Sequence, residues 1–207
     1  MIQVRAYGTS GPFVFVLHGG PSAPGYMAPV AQALADTFRV VEPMQRGSGP
    51  VPMTVARHIA DLHELVEKHC EGERPALVGH SWGAMLALAY AAAHPGRVIA
   101  VAMISSGTFD RAARDRMISI QAERTDDVLR LRFEQLTAEF PDPNDRLRAQ
   151  GELFQKMDSH DLIRVDTEFG VIDERAHRET WQDMLRQQEE GVLRARQTAS
   201  TLGDIDR

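Results

Sequence analysis

The 207 residues predict an α/β protein, a mostly parallel sheet flanked by helices with a helical cap set over it. Three observations carry this. Strand-length apolar runs alternate with helix-length amphipathic patterns across residues 1–109. Phe13–Leu17 is apolar without a break, as a parallel strand covered on both faces requires. A second apolar strand, Ala76–Gly79, runs into His80-Ser81-Trp82-Gly83 and then into an Ala/Leu-rich helix.

The elements follow in order. Ile2–Tyr7 reads as a short strand. Phe13–Leu17 is a central strand ending in His18-Gly19-Gly20-Pro21. Met27–Phe38 reads as a helix and Arg39–Pro43 as the next strand. Gly47, Gly49, Pro50 and Pro52 mark a loop. Thr54 can cap the helix that follows, whose apolar stripe is Val55, Ile59, Leu62 and Val66. His58, His63 and His69 on that helix miss the i, i+4 spacing of helical metal ligands and read as a solvated face. Ala84–Ala93 is a helix stopped by His94-Pro95-Gly96, and Val98–Ile104 is a further strand. Beyond Asp110 the chain turns rich in Arg, Glu, Gln and Asp. Helical patterning such as Leu129, Phe133, Leu136 and Phe140 is broken at Pro141-Asp142-Pro143-Asn144. Asp161–Asp173 has no clear pattern, and 174–197 reads as a helix carrying Trp181 and Leu185. The expected domains are a core over 1–109, a helical cap over 110–200, and 201–207 opening a further core segment.

Composition excludes several classes. The net charge is −6, with charged residues spread evenly, so no basic patch suits nucleic acid and no polybasic segment suits a membrane. No apolar run reaches membrane-spanning length. Met1 leads straight into a strand with no secretory leader, and a lone cysteine, Cys70, excludes an intrachain disulfide. These features predict a cytoplasmic protein with no metal and no cofactor.

The chemistry concentrates at Ser81. Gly79 and Gly83 allow a very tight turn from strand to helix, which holds the serine in strained geometry with its hydroxyl above the sheet. A serine nucleophile needs oxyanion donors, a general base and a group to orient that base. Glycines after Phe13–Leu17, on the same rim, can supply the Gly20 amide, and the residue after the serine supplies the Trp82 amide. His18 and Gly19 line this rim, with His18 as a structural lock. His80 lines the pocket or packs beneath the turn, and Trp82 forms a pocket wall.

His18-Gly19-Gly20-Pro21, Gln45-Arg46-Gly47-Ser48-Gly49 and Gly79-His80-Ser81-Trp82-Gly83 together resemble the α/β-hydrolase superfamily, within it the branch of proline iminopeptidases and related esterases and amidases. Met44 stands where that branch has aspartate, and Ser22 where it has glycine. The resemblance implies a serine hydrolase acting on a small-molecule ester or amide. An aspartate in place of Ser81 would instead imply a dehalogenase or an epoxide hydrolase. It also implies a triad in the order serine, acid, histidine, with the last two on strands after the cap. The chain reaches Thr201–Arg207 where the acid-bearing strand should begin, so the fold is expected to be truncated at its C-terminal side. Substitutes inside the chain would be Asp110 as acid and His160 or His177 as base. A compressed variant uses Asp166 or Asp173 with His177. A sheet ending at 98–104 leaves an edge for self-association or a second polypeptide. The contrasting expectation is a non-catalytic binding protein that retains the pocket.

Overall fold

A computed structural model describes residues 2–161 and 170–196. Among the described residues the strands are β1 (Val4–Tyr7), β2 (Phe13–Leu17), β3 (Arg39–Pro43), β4 (Ala76–His80) and β5 (Ala100–Ile104), in the sheet order β1-β3-β2-β4-β5. The β3-β2-β4-β5 pairs are parallel, and β1 runs antiparallel to β3. The central position of β2 explains its unbroken apolar run. Phe15 and Leu17 join Val41 and Leu77 on the face covered by α2 (Val55–Cys70) and α3 (Trp82–Ala93). Val14, Val16 and Val40 face α1 (Ala28–Leu34) on the other side.

Helix α2 forms where its stripe predicts. The Thr54 hydroxyl accepts from the Arg57 amide at 3.2 Å, and Glu71 ends the helix in the left-handed region. Helix α3 is buried from Trp82 to Tyr90, as an all-apolar, Ala-rich helix must be. His94 closes it, its amide donating to the Tyr90 carbonyl.

The histidines of α2 do not form the expected solvated face. His58 is 2% exposed, with Nε2 2.9 Å from the Thr180 hydroxyl. His63 is half-buried, 3.2 Å from the Tyr90 hydroxyl and stacked on His94. His58 lies three residues after Val55 and four before Leu62, so it shares the buried stripe.

The described residues form two compact units: 2–110 with 170–196, and 111–161. The second contains α4 (Arg111–Arg124), α5 (Asp127–Glu139) and α6 (Pro143–Asp158). Asp126 caps α5 and Asp142 caps α6, while Leu136, Leu153 and Met157 are buried and Phe133 meets Phe154 edge-on. The helix expected over 174–197 appears as α7 (Glu174–Glu189) with a short helical turn over 192–196. It falls in the core unit, whereas the sequence pattern grouped it with the cap. Its buried stripe is Ala176, Thr180, Asp183, Met184 and Gln187, and Met184, Trp181 and Leu185 join the α2–α3 core. That stripe is largely polar, so apolar periodicity could not reveal which unit it covers.

Strand β5 has a neighbour on one side among the described residues. Ile99, directly before it, is 53% exposed, and Met103 and Ile104 on it are 38 and 42% exposed. Residues 201–207 lie outside the described residues. Among those described, no helix is long and apolar enough to cross a membrane.

Candidate active site

Ser81 sits between β4 and α3 at φ 53°, ψ −117°, a conformation that L-residues rarely adopt. Two close approaches impose it. A Cβ at Gly79 would collide with the Gly83 carbonyl, and one at Gly83 with the carbonyls of Leu17 and His18. The Ser81 amide donates to the Ile104 carbonyl at 2.9 Å, which ties the turn to β5. Trp82 is the first residue of α3, so its amide has no intrahelical acceptor and points out at the positive end of the helix dipole.

The loop after β2 lies against this turn. A Cβ at Gly19 would be 2.8 Å from the Ser81 Cβ, so the loop passes too close to the turn to carry a side chain there. The Gly19 amide donates to the Tyr26 hydroxyl at 2.6 Å and is therefore committed. Gly20 has φ 41°, and its carbonyl accepts from the Ala23 amide at 2.9 Å, closing a tight turn.

His18 has the expected locking role. It is fully buried. Its Nε2 accepts from the Gln45 amide at 3.2 Å, which leaves Nδ1–H to donate to the Gly19 carbonyl at 2.9 Å. Burial pushes its pKa down to about 4, so the ring is neutral at pH 7. Gln45 extends the lock. Its Nε2 donates to the His18 carbonyl at 2.9 Å, and its Oε1 accepts from the Trp82 indole at 2.8 Å. Arg46 forks onto Asp61 of α2 at 2.8 and 2.6 Å. The three sequence motifs are thus one hydrogen-bonded assembly. The Trp82 ring is 1% exposed and meets His58 edge-on, so it is core and not the expected pocket wall. His80 directs Nδ1 at the Tyr26 hydroxyl, 2.6 Å away, and burial lowers its pKa.

The acid and base candidates are placed as follows. Asp110 ends its stretch of the core unit, directly before α4. His160 is exposed in the other unit. His177 is half-buried on α7, its ring stacked on Trp181 with centroids 6.2 Å apart. Asp173 caps α7 and accepts from the Ala176 amide at 3.0 Å and the Ser48 amide at 2.6 Å. Burial would raise its pKa, but those amides and Arg175 prevail and hold the carboxyl below its ordinary range. Asp166 lies outside the described residues. The recorded contacts of His18, His58, His63, His80, His94 and His177 are with groups other than Ser81. Sequence inspection did not single out Tyr26. It bonds across 54 residues to His80, and no local pattern signals that.

A strand–serine–helix elbow beside a glycine loop, on a parallel sheet, is the arrangement that defines the α/β-hydrolase fold class. The chain matches that class over most of its length and belongs to the alpha/beta hydrolase family, with residues 13–202 matched. It is 33% identical to the aminopeptidase-named YbaC of Bacillus subtilis strain 168, over 42% of this chain and 32% of the relative. It is 33% identical to the protein named epoxide hydrolase A of Mycobacterium tuberculosis strain H37Rv, over 53% of this chain and 36% of the relative. The matched segments span about a third of the curated relatives' own length. The crystal structure of E-2-(acetamidomethylene)succinate hydrolase superposes with a TM-score of 0.56 at 22% identity, covering 89% of this chain and 69% of that one, which is a likeness of fold.

Proposed function

We propose that this chain carries the nucleophilic part of a serine hydrolase acting on an ester or amide. The Ser81 oxygen attacks the carbonyl carbon. The carbonyl π electrons move onto oxygen, which the amides of Gly20 and Trp82 receive, and the hydroxyl proton passes to a general base. The observation that carries this is the positive φ of Ser81, enforced by glycines that admit no Cβ at 79 and 83. Strain of that kind, directly under a glycine loop, suits a projecting nucleophile and gives a plain turn no advantage. Gly19 and His80 complete the rim, with His18 behind it. Because the core histidines are held elsewhere, we favour a base and acid brought by further sequence or a second polypeptide to the β5 edge, which has no neighbour on its outer side among the described residues. Asp110, His160 and His177 remain the in-chain candidates. The aminopeptidase-named relative agrees with an amide substrate, while the epoxide-hydrolase-named one shows how widely chemistry varies on this fold.

The same engagement of the histidines favours a second reading, a binding protein without catalysis. A fluorophosphonate probe separates the two. Mass increase on the Ser81 peptide, absent in Ser81→Ala, supports the hydrolase. If Ser81 stays unmodified in the chain, alone and extended beyond Arg207, the hydrolase reading is overturned and the binding reading stands.

A further inference from the structure

The Tyr26 hydroxyl lies 2.6 Å from both the Gly19 amide and His80 Nδ1. The directions of these bonds are set by chemistry. A backbone N–H can only donate, so the phenol oxygen accepts from Gly19. Its proton is then directed at Nδ1, and His80 is the Nε2–H tautomer. The rings of Tyr26 and His80 also meet edge-on, with centroids 5.6 Å apart at 85°. On the other side the loop packs close against the turn, since a Cβ at Gly19 would fall 2.8 Å from the His80 carbonyl oxygen and from the Ser81 Cβ. The loop therefore has a wall at Ser81 and a tether at Tyr26.

We propose that Tyr26 is a positioning residue, which with His80 holds the Gly19–Gly20 loop over the Ser81 turn so that the Gly20 amide meets the oxyanion. This rests on the serine-hydrolase reading for its chemical consequence, though not for the tether itself. Consuming the Gly19 amide also makes Gly20 the donor. A charged His80 would present an N–H to the phenol and reverse its bond, and burial disfavours that form.

The test is Tyr26→Phe, which keeps the ring and removes the tether, with His80→Gln as the rescue variant whose side-chain oxygen can still accept from the phenol. Two readouts are needed. The first is fluorophosphonate inactivation. Tyr26→Phe should lower kinact about tenfold with KI unchanged, a fraction of what loss of a whole oxyanion donor does, and His80→Gln should retain most of the rate while His80→Leu does not. The second is ¹⁵N NMR. In the parent protein His80 should show an unprotonated Nδ1, and Tyr26→Phe should shift that resonance and speed exchange of the Gly19 amide. Unchanged kinact in Tyr26→Phe overturns the positioning role. An unchanged Nδ1 resonance and Gly19 exchange overturn the tether. If Ser81 labels neither in the chain alone nor in its form extended beyond Arg207, the serine reading falls alone, and the tether stands or falls on the NMR result.

Discussion

Acid should weaken this protein through its buried histidines. His18 and His58 are both held at about 4 against an ordinary 6.5. Burial is the main cause for each. For His58, Asp61 pulls the other way, while His18 and Arg46 add to the lowering. Above pH 6.5 both rings are neutral whether the chain is folded or not, and they contribute no pH dependence. As pH falls below 6.5 the unfolded chain takes up protons that the folded one refuses. Stability then drops by about 1.4 kcal/mol per pH unit for each histidine and levels off near pH 4, where the folded rings also protonate. The full drop is about 3 kcal/mol per histidine, or about 6 kcal/mol for the pair, against a total domain stability of about 5–15 kcal/mol. Urea unfolding followed between about pH 7.5 and 4.5 measures it. His58→Gln isolates one site, because a carboxamide can still partner Thr180 but does not titrate. Its stability deficit relative to the parent should narrow by about 3 kcal/mol on acidification, while every other titrating group cancels in the difference. Parallel profiles for parent and variant would refute the assignment of His58 as a buried neutral ring.

Three further outcomes are expected. Gly83→Ala drives a Cβ into the Leu17 and His18 carbonyls, so it should lose about 3 kcal/mol of unfolding free energy or fail to accumulate as folded protein. Asp183→Ala removes the carboxylate that accepts from the Val55 amide at 2.9 Å and from Gln187. A loss of about 2 kcal/mol is expected, with faster hydrogen exchange at Val55 as the local sign. Glu42 is fully buried, with Oε2 accepting from the Tyr7 hydroxyl and Oε1 unpartnered, and burial raises its pKa. An acid with a raised folded pKa weakens the protein once pH exceeds its unfolded value. Glu42→Gln should therefore gain stability near neutral pH and gain none at pH 4, as paired urea titrations would report.

What was legible in the sequence was local. The apolar run of β2, the Thr54 cap and the glycines around Ser81 each act through neighbours a few residues away, and each appears where its pattern predicts. What was not legible depends on partners far along the chain. His58 looks like a surface histidine until Thr180 arrives from α7. Helix α7 looks like a solvated cap helix because Thr180, Asp183 and Gln187 form its buried stripe. Their burial is repaid by hydrogen bonds to Val55 and His58, which hydrophobic periodicity does not register. Asp173 reads as a candidate acid by residue type alone, whereas its position before α7 makes it a helix cap that also holds the Ser48 amide. Tyr26 lacks any motif of its own, since its role exists only once β2 and β4 are side by side.

Gln45 has a consequence for anyone who wishes to re-engineer this rim. One carboxamide meets a carbonyl with its nitrogen and an indole N–H with its oxygen. A glutamate would set acceptor against acceptor at His18, and a lysine would set donor against donor at Trp82. The loop after β2, residue 45 and the start of α3 therefore form a single exchangeable cassette. A graft that imports a new glycine loop without its matching residues at 45 and 82 would leave a mismatched pair of polar groups behind the nucleophile.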